Sequence, residues 1–300
     1  MAANVNQECK RMSLQVQKDR NGKPISGPYK ELYVYLLDGV ASGSDEEVLG
    51  PSFIGNWVEE KNSFLFFGGP SRDKVMALLD KRPDLNLVDE YQLDYEQWQG
   101  DVLGPLEIAG FRVVPRWMEI EGLRELAAKD TIVLDPGVVF GNGLHPTTQD
   151  CLKALRWVRE RCGFGRVLDL GTGTGILAMA AALLGAEKVL AVDINPLCVK
   201  TAKENVHLNG LEHVVEVLEG YAQAFVDQPA DLVVANLDYD IISQLLKEPP
   251  MRQKPWLIFS GLMRTPFRDL SATLEGYGMN IARQWDHDMT WFTIVCRGGR

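Results

Sequence analysis

Two carboxylates and a run of glycines are the residues of this 300-residue chain best placed to do chemistry. The apolar stretch Val167-Leu-Asp-Leu170 runs into Gly171-Thr-Gly-Thr-Gly175, and an apolar helical stretch follows. Glycines let a backbone turn sharply and approach a ligand closely. The helix start beyond them offers unpaired N–H groups. Asp169 lies inside the strand end, and a second carboxylate, Asp193, ends the next strand. Asp193 is placed to accept hydrogen bonds from ribose hydroxyls, and Asp169 to hold an ammonium directly or through water. The spacing is G-x-G-x-G rather than the G-x-G-x-x-G of dinucleotide folds, and the phosphate-binding lysine of a P-loop is absent. The set suits an amino-acid-bearing nucleoside without phosphates. For the glycines alone, a tight strand-to-helix turn is an equal reading, and Asp193 can equally cap the turn before Asn195.

The elements that must position these residues begin at about Val133, where apolar strands alternate with helices. Strands are expected at Val167–Leu170, Lys188–Asp193, Val214–Leu218, Asp231–Ala235 and Trp256–Phe259. Helices are expected at Ile176–Leu184, stopped by Gly185, at Asn195 to about Leu208 with Asn195 as cap and Pro196 in the first turn, near Tyr239–Leu246, and at Pro266–Leu274. Met279–Trp285 and Thr290–Cys296 read as a closing hairpin that adds an antiparallel strand. The pattern predicts an α/β fold with a mostly parallel sheet covered by helices on both faces.

Ahead of it, Lys30–Leu37, Ser63–Phe67 and Leu85–Val88 read as strands, and Ser71 as the cap of a helix through Lys81. The first twenty or so residues are polar, as poorly ordered termini are. The acidic stretch Asp89–Gly104 reads as a linker that lets the front unit swing. The organisation expected is 1–95, a small α+β domain; 96–130, the linker and leading strands; and 131–300, the domain that carries the glycine loop.

The net charge of −10 disfavours a nucleic-acid backbone as the main partner, because phosphates demand clustered Lys and Arg. A small molecule or a basic protein fits better. The five cysteines are odd in number and form no Cys-x-x-Cys pair, so neither a disulfide framework nor a metal site is expected. No apolar run approaches the ~20 residues of a membrane span. A cytoplasmic protein is the expectation, with its oligomeric state open.

The segment Asp135-Pro-Gly-Val-Val-Phe-Gly-Asn-Gly-Leu-His-Pro-Thr-Thr148 is similar to the signature of the PrmA-type methyltransferases, which modify large-subunit ribosomal protein eleven. Asp169–Gly175 resembles motif I of the class I methyltransferases, and Asp193 their ribose-binding acid. Asn205 and Asn209-Gly210 match the family's N-A-x-x-N-G pattern, and Ala235-Asn236-Leu237 its A-N-I. The resemblance runs from about Trp98 to Phe259. Asn142 stands at the family's threonine, and Leu144 at its next polar position.

The resemblance implies a Rossmann-like class I methyltransferase with a seven-stranded sheet, preceded by a substrate-recognition domain. It implies S-adenosylmethionine as cofactor, and a protein substrate, ribosomal in the family, methylated on lysine or N-terminal amines. Phe140, Gly141 and Thr147 would line the cofactor pocket from above. Asp169, Gly171, Thr172, Gly173 and Gly175 would form its loop, Asp193 and Ile194 its ribose side, and Tyr221 its adenine side. Asn236 would contact the cofactor and, as the catalytic residue, face the methyl-accepting nitrogen.

Some residues carry a second reading. Thr147-Thr-Gln-Asp150 has the form of a helix start, so Thr147 can be an N-cap, a cofactor contact, or both. His145 reads better as a loop-fixing histidine than as a general base. Asp238 and Asp240 can stabilise the product cation, or simply be solvated helix-start residues. The rival classes are an NAD-dependent oxidoreductase, a base methyltransferase, a lysine methyltransferase for another protein, a small-amine methyltransferase and a cofactor-binding interaction module. The glycine spacing disfavours the first. The absence of Asn-Pro-Pro-aromatic after Ala235 disfavours the second.

Overall fold

The computed structural model describes residues 14–16, 27–101, 103–120 and 130–299. Apart from Leu14–Val16, the first twenty residues and the expectation made for them lie outside the described residues.

The strands that flank the glycine loop are near-continuous apolar runs, as strands covered on both faces must be. Arg166–Leu170 (β10) is buried at every position after the first. It pairs in parallel with Lys188–Asp193 (β11) and Leu232–Asn236 (β13), and β11 pairs with Val215–Glu219 (β12). Trp256–Met263 (β14) joins β13 in parallel. Trp291–Arg297 (β16) is antiparallel to β14, and Asn280–His287 (β15) closes the edge. The seven-stranded order is β12-β11-β10-β13-β14-β16-β15. The order reverses between β10 and β13, and ligands of open α/β sheets bind beyond the strand ends at such a switch point.

Pro146–Arg161 (α4), Ile176–Leu183 (α5) and Pro196–Leu208 (α6) cover one face of the sheet around Val167, Val189 and Ile258. Tyr239–Leu245 (α7) and Arg264–Gly276 (α9) cover the other around Val233, Phe259 and Ile294, with the short Pro249–Arg252 (α8) between them in sequence. Gly185 ends α5 at φ +90°, and Ala186 N–H reaches back to the Ala181 carbonyl, the bond pattern of a glycine stop. The structure extends α9 by two residues at each end of the range expected from sequence.

The front unit is an antiparallel sheet in the order β3-β4-β2-β5. Its strands are Glu31–Asp38 (β2), Phe53–Glu59 (β3), Asn62–Phe67 (β4) and Asn86–Asp94 (β5). One face is covered by Arg72–Lys81 (α2) through Val75 and Leu78, next to the short helix Glu46–Leu49 (α1). The pattern of β3 was not legible in sequence, because Gly55 and Asn56 interrupt it and most of its side chains are half-buried. Leu106–Ile108 (β6), Phe111–Pro115 (β7) and Thr131–Leu134 (β9) form a further small sheet, and Met118–Ile120 (β8) pairs with Leu14–Val16 (β1).

The acidic stretch 89–104 is not a swinging linker. Its first part is β5, paired with β2 from Glu31↔Asp94 to Asp38↔Asn86. An edge strand with mostly exposed side chains carries the polar composition of a linker while its backbone is bonded to the sheet. Its second part is the helix Tyr95–Gln99 (α3), capped by Asp94, which accepts from Glu96 and Gln97 N–H. Tyr95 is 1% exposed, and its hydroxyl donates to the Gly137 carbonyl at 2.8 Å. Gln99 donates to the same carbonyl, and Trp98 to Val138 at 3.1 Å. Leu32, Val34 and Phe66 of the front sheet share one buried cluster with Val138, Val139, Leu197 and Cys198.

Candidate active site

The glycine loop sits at the carboxyl end of β10. Gly171, Gly173 and Gly175 have φ of +74°, +55° and +82°, a region that costs side-chain-bearing residues steric strain. A Cβ on Gly173 would stand 2.5 Å from the Phe140 carbonyl, which accepts from Thr174 N–H. The Thr174 hydroxyl donates to the Gly141 carbonyl at 2.7 Å. These two bonds join the glycine loop to the Asp135–Thr148 segment above it.

Asp193, at the end of β11, ties the loops together. Its Oδ2 accepts from Gly173 N–H and its Oδ1 from Asn195 N–H, both at 3.0 Å. The side chain is half-buried and reaches the surface at the strand end, so it caps the turn where the ribose reading also places it. Burial raises its pKa. Asn195 caps α6 as expected, accepting from Leu197 N–H.

Asp169 is 1% exposed. Its Oδ2 accepts from the Thr172 hydroxyl at 2.7 Å, while Oδ1 has no hydrogen-bond partner among the described residues. Burial, opposed by the Thr172 bond and assisted by the charge of Asp193, pushes its carboxyl up to about 7. A buried carboxylate oxygen without a donor favours an incoming cation. Phe140, Ile194 and Tyr221 are 51%, 52% and 67% exposed. Ile194 and Tyr221 follow the paired ends Asp193↔Glu219 of β11 and β12. A cation-seeking carboxylate, a second, half-buried carboxylate and exposed apolar side chains fit the ammonium, ribose and adenine of an adenosylated methionine.

The Asn236 end of the site is built differently from the sequence expectation. Helix α4 starts at Pro146, one residue before Thr147, and His145 is its cap, because Pro146 supplies the helical φ of the first turn. Thr147 is therefore not the cap. Its N–H donates to His145 Nδ1 at 3.3 Å, and its hydroxyl lies 2.7 Å from the same atom. A backbone N–H can only donate, so Nδ1 is an acceptor and the imidazole is the neutral tautomer protonated on Nε2. The Thr147 hydroxyl then donates to Nδ1 and has its own lone pairs left to accept. It accepts from Asn236 Nδ2 at 3.3 Å. The chain of donors thus fixes which way the Asn236 amide points, with Nδ2 toward Thr147 and Oδ1, an acceptor, on the other side. Burial, with the nearby His287, holds the His145 pKa below the usual histidine value and keeps this tautomer neutral.

The His145 ring lies between Phe140 and Trp291, with ring centroids 5.2 and 5.0 Å away. Trp291 comes from β16, and nothing in its local sequence marks it. Thr147 is 1% exposed and Gly141 and Asn236 are half-buried, so Phe140, Gly141, Thr147, Asp169, the glycine loop, Asp193 and Asn236 gather at one end of the sheet. Asp238 and Asp240 are exposed at the start of α7, and Asp238 makes no side-chain cap bond.

The asparagines of α6 have a structural explanation. Asn205, fully buried, exchanges bonds with Asp135 N–H and carbonyl at 2.8 Å each and donates to the Thr174 carbonyl at 2.9 Å. Asn209 bonds Val133 N–H and carbonyl at 2.9 and 2.7 Å. They clamp the upper segment onto the glycine loop, and neither reaches the reacting end. Among the described residues no group of His, Cys, Asp and Glu gathers to hold a metal ion, and no helix is long and apolar enough to cross a membrane.

A family model described as ribosomal protein L11 methyltransferase (PrmA) matches residues 73–298. A ribosomal protein L11 methyltransferase of Aquifex aeolicus is 36% identical over 213 residues, 71% of this chain and 79% of that protein. One from an Exiguobacterium species is 31% identical over 284 residues, 94% of this chain and 83% of that protein. The crystal structure of a ribosomal protein L11 methylase from Lactobacillus delbrueckii subsp. bulgaricus superposes with a TM-score of 0.55 at 31% identity, covering 63% of this chain and 95% of that one.

Proposed function

The chain belongs to the ribosomal protein L11 methyltransferase (PrmA) family, with S-adenosylmethionine as its methyl donor, and from that premise we propose that it methylates amino groups of the large-subunit ribosomal protein at the site formed by Asn236 and the glycine loop. The observation that carries the site assignment is the Oδ1 of Asn236, held in a defined orientation by Thr147 and His145.

The bound sulfonium supplies a methyl group that is already a strong electrophile, so positioning dominates the catalysis. Asp169 would hold the ammonium of the methionine moiety through Oδ1, and Asp193 would accept from the ribose hydroxyls. Thr172 and the backbone of Gly171, Gly173 and Gly175 shape the loop, while Phe140, Ile194 and Tyr221 cover the adenosyl group. Gly141 and Thr147 close the pocket from above.

Asn236 Oδ1 would accept one N–H of the incoming amine and so orient its lone pair. The amine must arrive neutral, since an ammonium of pKa ~10.4 has no lone pair to give. His145 cannot take its proton at Nδ1, which already accepts two hydrogen bonds, nor at Nε2, which carries the ring proton. The proton leaves to water before transfer. Residues 1–95 are the recognition unit in this reading, and 131–300 the transfer unit.

Incubating the purified chain with the ribosomal protein and isotopically labelled S-adenosylmethionine tests the proposal. Mass spectrometry should place methyl groups on lysine or N-terminal amines. Unmodified ribosomal protein, under conditions where S-adenosylhomocysteine binds, would refute the substrate assignment.

A further inference from the structure

The face of the front sheet turned away from α2 is buried at one end and open at the other. Gly55 and Phe66 are register partners at the buried end, where Gly55 lies against Leu197 of α6. Trp57 and Phe64 pair in the middle, and Glu59 stands opposite Asn62 at the open end. Segment 138–146 forms the facing wall, and Trp98 of α3 lies between them with its ring 5.2 Å from Phe66. Together they enclose a groove of about 730 Å³. One end reaches Phe140 and His145, and His145 leads through Thr147 to Asn236.

Three features of this groove define its ligand. Its walls are aromatic, and Trp98 remains 41% exposed. Among the described residues that line it, Glu59 supplies a carboxylate at the open end and none is Lys or Arg. Its one histidine, His145, is held neutral by burial and by its hydrogen bonds. Aromatic faces beside a carboxylate attract organic cations, ammonium and methylammonium side chains above all. The groove is also long enough to seat more than the one side chain that reacts, since pockets of this volume bury whole drug-sized ligands.

We propose that this groove seats an extended stretch of the protein substrate that carries a second ammonium side chain, lysine or methylated lysine, against Trp57 and Trp98 and beside Glu59. The proposal rests on the protein-amine reading above and adds to it a subsite separate from the transfer point. A substrate bearing several amines would then be held by one while another reacts.

The test uses the full chain and two short acetylated peptides that differ at a single position, trimethyllysine in one and norleucine in the other. Binding is followed by calorimetry and tryptophan fluorescence. The trimethyllysine peptide should bind at least about tenfold tighter, and Glu59→Gln and Trp57→Leu should each weaken it about three- to tenfold. S-adenosylhomocysteine affinity, measured on the same variants, reports that they are folded. Equal binding of the two peptides, no binding of either, or indifference of the trimethyllysine peptide to both substitutions would overturn the proposal. Methylation of the ribosomal protein with an unchanged KM in Glu59→Gln would sink the groove and leave the transfer site standing. Trimethyllysine binding through Glu59, without methylation of any protein amine, would sink the transfer reading and leave the groove.

Discussion

Replacing Asp169 by Asn should make the cofactor-free protein more stable and the cofactor complex weaker. Asp169 is 1% exposed, its Oδ1 has no partner among the described residues, and its carboxyl is pushed up to about 7. In the unfolded chain the same carboxyl titrates near ~3.9. Below that value it is protonated in both states and adds no pH dependence. Between ~3.9 and about 7 the unfolded chain releases a proton that the folded protein retains, so stability falls as pH rises. Above the folded value the cost is complete, about 4 kcal/mol for a shift of about three units. Asparagine carries no charge and can still accept from Thr172, but its amide nitrogen takes the partnerless place of Oδ1 at a cost of about 1–3 kcal/mol. The net gain expected near about pH 8 is therefore roughly 1–3 kcal/mol.

Chemical denaturation of the two proteins without cofactor, repeated at about pH 5 and about pH 8, measures this gain and its disappearance at the lower pH. The cofactor side of the same argument runs the other way. The carboxylate form is the one that holds an ammonium, so S-adenosylhomocysteine affinity should fall about tenfold for each pH unit below about 7 in the natural protein and stay flat in Asp169→Asn. An Asn variant less stable than the natural protein at both pH values, or one that keeps the pH slope of cofactor affinity, would refute the reasoning.

Other outcomes follow from the same geometry. Asn236→Ala should keep S-adenosylhomocysteine affinity and lose about 10²-fold in single-turnover rate, because it removes orientation rather than binding; an unchanged rate rejects its role. With no base at the amine, kcat/KM for a lysine substrate should climb about tenfold per pH unit from about pH 7 to about pH 9, and a plateau beginning near about pH 6 would point to a base instead. Asn205→Ala removes bonds that join α6 to Asp135 and Thr174 and should cost about 3 kcal/mol in urea unfolding; a loss under about 1 kcal/mol would mean the clamp is dispensable.

Where a signal is local, the residues announced their structure. The apolar run of β10, the three glycines and the Asn195-Pro196 start of α6 each satisfy a backbone requirement within a few residues, so they were legible. The same holds for the closing hairpin, with its two β-rich stretches about a short turn. Stretch 89–104 misled because solvation and disorder leave the same polar composition, and only pairing with β2 distinguishes them. His145 was legible as a loop-fixing residue, but its place as the cap of α4 depends on where the backbone turns before Pro146.

The sequence by itself determined the glycine loop and the carboxylates at the two strand ends, because glycine conformations and strand-end positions are consequences of short-range stereochemistry. Tertiary structure alone decided the Asn236 end and the groove beside it. The orientation of Asn236 is set by Thr147 and His145, far away in sequence, and the ring against His145 comes from Trp291, on a strand formed near the end of the chain. Trp57, Trp98 and Phe140 share a cavity because the front sheet is bonded to segment 137–142 through Tyr95, Trp98 and Gln99. Contacts between residues so distant along the chain leave no periodicity to read, since each side chain satisfies its partner only after folding has closed the loop between them.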